Sequence, residues 1–65
     1  MISKDIHMQN SDLTLQNYLE KGQKFDSIGD NENALEIYIS GLELSEKVEN
    51  KSYAKLFSQL IITLL

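Results

Sequence analysis

A chain of 65 residues, of which 42% are hydrophobic and 25% charged, has the composition of one small folded domain. It contains no cysteine, which excludes disulfide bonds and thiolate metal sites. The net charge of -4 argues against nucleic acid and anionic membranes, because both are bound by basic surfaces, and favours a basic or mixed peptide as partner.

The first ten residues, MISKDIHMQN, are polar and aperiodic and predict a flexible leader. They lack the apolar core of a signal peptide, and LIITLL at 60–65 is too short to span a bilayer. We therefore expect a soluble intracellular protein, most simply a cytoplasmic one. The one histidine, His7, has neither a second histidine nor an organised carboxylate near it in sequence, so we expect a solvated side chain.

A first helix is predicted over residues 12–28, with Ser11 or Asp12 as its N-cap. Its apolar positions repeat at intervals of three and four, which places them along one stripe of a helix. They are Leu15, Tyr18, Leu19, Gly22, Phe25 and Ile28. The run GDNEN then predicts a turn, since Gly29 can adopt the left-handed conformation that ends a helix and Asp30 or Asn31 can cap the next one.

A second helix is predicted over residues 31–49, with a wide apolar face. That face consists of Ala34, Leu35, Ile37, Tyr38, Gly41, Leu42, Leu44, Ser45 and Val48. Most of the charged residues lie off this face and predict a solvated surface. They are Glu32, Glu36, Glu43, Glu46 and Lys47.

A third helix is predicted over residues 52–65, after the break ENKS, in which Asn50 suits a C-cap and Ser52 an N-cap. It is apolar on more than one side. The β-branched run LIIT could form a strand, but the sequence offers no second strand to pair with it. The prediction is an all-α fold, a three-helix antiparallel bundle over residues 11–65.

Two glycines lie inside predicted helices, where each costs about 1 kcal/mol relative to alanine. A residue without a side chain on a buried face lets another helix come close. We therefore predict that helices cross at Gly22 and Gly41, with Ala34 and Tyr38 in the same contacts.

The spacing from Tyr18 to Leu44 resembles the tetratricopeptide repeat, a helix-turn-helix unit of about 34 residues with aromatic and small residues at set places. The matching residues are Tyr18, Gly22, Phe25, the turn at Gly29 and Asp30, and then Ala34, Tyr38, Gly41 and Leu42. The chain departs from the pattern at Lys21, Asn31 and Glu46, and at Phe57 or Ile61 in the next unit. The resemblance implies a helical hairpin that binds other proteins.

The chain also resembles the MIT domain, a three-helix bundle that binds short motifs in the tails of membrane-remodelling proteins. That resemblance rests on Asp26, Gly29, Ala34, Tyr38 and the pair Gly41 and Leu42. Gln23, where an aliphatic residue is usual, and the short connection before the third helix depart from it. Both resemblances imply an adaptor-like binding module, so the two alternatives stay open.

The tetratricopeptide resemblance implies that a peptide binds along the outward side of the first helix. The corresponding positions are Gln16, Leu19, Glu20, Gln23, Asp26 and Ser27. Because this side is polar and acidic, we expect an extended or helical peptide that carries basic residues.

The third helix has two alternative roles. The MIT resemblance implies that a helical peptide lies between the second and third helices. Alternatively, the apolar surplus of the third helix is an assembly surface for a second copy or a following helix. The residues of that surface are Phe57, Ile61, Ile62 and Leu65.

Catalysis is not expected from this sequence. There is no glycine-rich phosphate loop after a strand, and the one histidine lies in the leader. Asp26 and Asp30 flank a turn, where acids usually cap helices. We expect no enzyme activity, no cofactor and no metal.

Overall fold

The computed structural model describes the backbone of residues 2–65 and the side-chain surroundings of residues 11–65. Its three helices are α1, Ile2–Ser27, α2, Asn31–Lys47, and α3, Lys51–Leu64. Short turns reverse the chain twice, and α2 packs against both α1 and α3. The predicted all-α, three-helix antiparallel bundle is confirmed.

The first helix begins earlier than the sequence indicated. Instead of starting at about residue 12, α1 extends from Ile2, so Ser11 and Asp12 lie within it. Asp12 has another contact, because its Oδ1 accepts a hydrogen bond from Asn50 Nδ2 at 3.2 Å. The side chains of the predicted leader, residues 1–10 with His7, lie outside the described residues.

In the turn between α1 and α2, backbone hydrogen bonds end the first helix and one aspartate side chain caps the start of the second. The Asp30 amide donates to the Phe25 carbonyl at 2.9 Å, and the Gly29 amide donates to the Asp26 carbonyl at 3.0 Å. Gly29 has a φ of 81°, as this type of helix C-terminus requires. The Asp30 side chain then accepts from the Asn33 amide, which makes Asp30 the predicted N-cap of α2.

The turn between α2 and α3 has the same hydrogen-bond pattern. The Asn50 amide donates to the Ser45 carbonyl at 2.8 Å, and the Glu49 amide donates to the Glu46 carbonyl at 3.2 Å. Here the left-handed position is held by Glu49, with a φ of 59°. Asn50 is the N-cap of α3, because its Oδ1 accepts from the Tyr53 amide at 3.1 Å. The sequence prediction of Asn50 as a C-cap and Ser52 as the N-cap was wrong.

The core lies on both sides of α2 and contains few side chains. Leu15 of α1, Ala34 and Tyr38 of α2, and Phe57 of α3 are fully buried. The tilted rings of Tyr38 and Phe57 have centroids 6.1 Å apart. The buried Ser45 hydroxyl donates to the Gly41 carbonyl at 2.7 Å, so its burial leaves no unpaired hydroxyl.

Gly22 and Gly41 lie where aromatic rings cross a neighbouring helix. A Cβ atom added to Gly41 would lie 2.5 to 2.8 Å from three atoms of the Phe57 ring, and one added to Gly22 would collide with the Tyr38 ring, 2.6 Å from Cδ1. Each ring thus occupies the space that a side chain would need. The rings connect α1 to α2 and α2 to α3.

Candidate protein-interaction surfaces

The residues predicted to bind a peptide lie on one side of α1, which we name the α1 face. Most of them are exposed, and Leu19 is half-buried because it packs against the core. The exposed members are Gln16, Glu20, Gln23, Asp26 and Ser27. The sequence pattern therefore places these polar side chains where a partner can reach them.

Within the α1 face, two side chains are already paired and one acid is not. Gln16 Nε2 donates to Glu20 Oε2 at 3.3 Å, and the Ser27 hydroxyl donates to the Lys24 carbonyl at 2.8 Å. The Asp26 carboxylate makes no hydrogen bond or ion pair with any described residue. Asp26 therefore keeps its full capacity to accept hydrogen bonds.

Tyr38 of α2 lies beneath this part of α1. It is fully buried, and among the described residues its hydroxyl has no hydrogen-bond partner. Burial raises the pKa of Tyr38 above its ordinary 10.0, and the negative charge of Asp26 raises that pKa further. Burial is the larger of the two effects.

The predicted assembly surface on α3 is smaller than its four residues suggested. Phe57 is fully buried against Gly41 and contacts no solvent, so it cannot contribute to a surface that a second chain reaches. Ile61 is half-buried and packs against the core. Ile62 and Leu65 are 71% and 85% exposed, and we name this pair the α3 patch.

A further surface on α2 was interpreted from the sequence only as a solvated face. The acids Glu32, Glu36, Glu43 and Glu46 are all exposed, and none forms an ion pair with a described residue. Ile39, 41% exposed, lies between them at the same helical spacing. The regular spacing of these acids around Ile39 is the sequence feature from which this mixed acidic and apolar surface could have been predicted.

Two general properties bear on the class of site. Among the described residues, no three histidine, cysteine, aspartate or glutamate side chains are grouped so that they could hold a metal ion. Over the same part of the chain, no helix combines the length and apolarity needed to cross a bilayer.

Comparison with protein-family models, with curated proteins and with solved structures found no match. The resemblances to tetratricopeptide repeats and to MIT domains therefore stay predictions.

Proposed function

We propose that this protein is a non-catalytic protein-interaction module, and that the α1 face binds a peptide or helical segment of a partner. The observation that carries the proposal is the position of five exposed polar side chains along one side of a single helix. A helix side of this kind presents its groups at fixed spacing to an extended or helical ligand.

The packing of α1 supports this proposal. Tyr38 lies against Gly22, and Leu15 is fully buried, so the inner side of α1 is held by close contacts. A surface that is fixed before binding loses less conformational entropy when a ligand is bound. Glu20 and Asp26 give this surface two carboxylates, which favours a ligand with lysine or arginine residues.

The proposal can be tested by selecting peptides from a random displayed library on the immobilised chain. We expect the selected peptides to be enriched in basic residues. The variant in which Glu20→Lys and Asp26→Lys are combined should lose their binding, because attraction becomes like-charge repulsion.

A variant with Glu32→Lys and Glu36→Lys is the matched control, since it changes the net charge equally at exposed positions on α2. Retained binding in this control and loss in the α1 variant would support the α1 face. Equal binding by both variants and the unaltered chain would refute it.

The exposed α3 patch favours a second candidate function, assembly or binding through α3. In one form a second copy or another helix covers the patch. In the other, an MIT-type module binds a helical tail motif between α2 and α3. The α1 face is the better candidate because the α3 patch contains only two side chains.

The proposed partner is a protein or peptide, and an intracellular, cytoplasmic location is part of this proposal. The chain has no cysteine, as a protein of a reducing compartment such as the cytoplasm needs none.

A further inference from the structure

Gln23 lies at the centre of the α1 face and has a free side-chain amide. The side chain is exposed, and it makes no hydrogen bond with any described residue. Glu20 precedes it by three residues and Asp26 follows it by three, and both of these acids are exposed. Helical geometry places Glu20 about 60° to one side of Gln23 and Asp26 about 60° to the other. An unpaired amide is therefore flanked by one acid on each side.

The polarity of this face favours an extended ligand over a helical one. The main-chain groups of a helix are bonded within the helix, so a helical ligand would have to satisfy the Gln23 amide and the Asp26 carboxylate with side chains alone. An extended peptide has a free donor and a free acceptor on its main chain at each residue other than proline. The Gln23 amide also has donors and an acceptor, so it can bond to both groups of the peptide.

The spacing of the two acids matches the register of an extended chain. Glu20 and Asp26 are six residues apart, which is about 9 Å along the helix axis. Three residues of an extended peptide span about 10 Å, and side chains an odd number of positions apart point to opposite sides. A peptide whose main chain lies on Gln23 would therefore bring its side chains at positions i and i+3 to the two acids. Side chains two or four positions apart point to the same side and would reach only one acid.

We propose that Glu20, Gln23 and Asp26 form a binding site for an extended peptide with two basic residues three positions apart. Gln23 holds the peptide main chain, and each carboxylate pairs with one basic side chain. Arginine is favoured, because a guanidinium bonds to a carboxylate through two donors. Glu20 accepts from Gln16 through one oxygen, Oε2, which leaves Oε1 for the ligand. This inference rests on the proposed function of the α1 face and specifies the conformation and spacing of its ligand.

The test compares short, end-capped, fluorescently labelled peptides of threonine and valine, residues that favour an extended chain. Each peptide carries two arginines, which are two, three or four positions apart. Binding to the full chain is followed by fluorescence anisotropy at low salt. The peptide with the three-position spacing should bind about fivefold more tightly than the other two, because only this peptide pairs with both acids.

Substitution of each acid tests its contact. Asp26→Asn should weaken binding of the three-position peptide about fivefold, as for loss of an exposed ion pair. Glu20→Gln should weaken it about twofold, since Lys24 lies one helical turn from Glu20 and offsets part of its charge. Both variants should reduce the advantage of this peptide over the other two. Glu43→Gln, which removes an exposed charge on α2, is the matched control and should change binding less than about twofold.

Substitution of the glutamine tests the contact with the main chain. Gln23→Ala should weaken binding of all three peptides about threefold, because the main chain is common to them. Gln59→Ala removes an exposed glutamine from α3 and should leave binding unchanged. Circular dichroism of each variant establishes that a loss of binding is not a loss of fold.

Three results would overturn this site. They are equal binding of the three peptides, no binding of any of them to the unaltered chain, and equal effects of Gln23→Ala and Gln59→Ala. The proposed function fails separately, only if peptides selected from the library bind equally to the variant with Glu20→Lys and Asp26→Lys. Loss of the selected peptides in that variant, without an effect of arginine spacing, would retain the α1 face and exclude this register.

Discussion

Gly22 and Gly41 act through the space that they leave, because each allows an aromatic ring to cross a helix at close range. The ring of Tyr38 lies on Gly22, and the ring of Phe57 lies on Gly41. Glycine in a helix interior costs about 1 kcal/mol relative to alanine. Burial of a full aromatic ring offsets that cost, since a large apolar side chain contributes about 1.5 to 3 kcal/mol.

Replacing Gly41 with leucine should lower the free energy of unfolding by about 1 to 3 kcal/mol, because the new side chain overlaps the Phe57 ring in a packed core. Urea denaturation followed by circular dichroism measures this change. Ser40→Leu, at an exposed neighbouring position of α2, is the control and should change stability little. A neutral Gly41→Leu variant would contradict the packing between α2 and α3.

Glu49 has a left-handed backbone conformation, which glycine adopts more easily than other residues. Its φ of 59° corresponds to that of Gly29 in the first turn, and a side chain there costs about 1 to 2 kcal/mol. We expect Glu49→Gly to raise the thermal midpoint, with a gain of up to about 1 kcal/mol because glycine also loses more chain entropy on folding. Glu43→Gly, within α2, should lower the midpoint instead. Equal effects of the two variants would be inconsistent with the second turn.

Ionisation of Tyr38 should lower the free energy of unfolding at high pH. Its pKa is raised in the folded chain, so above about pH 10 the unfolded chain loses the phenol proton first and ionisation favours unfolding. Below that pH both states keep the proton, and this contribution is fully present. Denaturation across this range should show a smaller loss of stability for Tyr38→Phe than for the unaltered chain.

The control for this pH dependence is Tyr53→Phe, which removes a hydroxyl from a half-buried ring and keeps Tyr38. It should retain the loss of stability above pH 10. At neutral pH, Tyr38→Phe should stay within about 1 kcal/mol of the unaltered chain, because the lost hydroxyl has no described partner. A large loss at neutral pH would mean that this hydroxyl is paired.

At the scale of elements, the second half of the chain repeats the contacts of the first. Gly41 follows Gly22 by nineteen residues, and Phe57 follows Tyr38 by the same interval. The two turns also share their hydrogen-bond pattern. Nineteen residues after Gly41, the corresponding position in α3 is Leu60, which has a side chain. A further helix therefore could not pack an aromatic ring against α3 there in the way that Phe57 packs against Gly41.

The sequence was sufficient to predict a three-helix, all-α fold, but not that the first helix begins at Ile2. Gly22 and Gly41 were recognisable because glycine inside an apolar helical pattern is unfavourable unless a neighbouring group needs the space. The position of Phe57 was not recognisable, since α3 is apolar on several sides and only packing decides which side is buried. Asn50 was assigned to the wrong helix end because asparagine is favourable at both kinds of cap.

Asn50 links the end of α2 and the start of α3 to Asp12 inside α1, and it provides the test at this scale. Asn50→Ala removes the cap of α3 and the bond to Asp12, and should cost about 1 to 2 kcal/mol in urea denaturation. Ser52→Ala is the matched control, because Ser52 is exposed and is not the N-cap of α3. A greater loss for Ser52→Ala would instead support the cap predicted from sequence.

At the scale of the whole molecule, the bundle presents surfaces of different chemistry on different helices. The α1 face is polar and acidic, whereas the α3 patch is apolar. A basic peptide and a second copy of the chain would therefore be held by different forces. Substitutions on one surface can be made without altering the other, which allows the two candidate functions to be separated.

Sedimentation equilibrium over a wide concentration range separates them, and we expect a monomer. A stable interface buries about 800 Å² on each partner, and the two side chains of the α3 patch supply only part of such an area. A variant with Ile62→Glu and Leu65→Glu should then sediment as the unaltered chain does and still bind peptides selected on the α1 face. A concentration-dependent dimer that this variant disperses, but that the Glu20→Lys and Asp26→Lys variant preserves, would establish assembly through α3 instead.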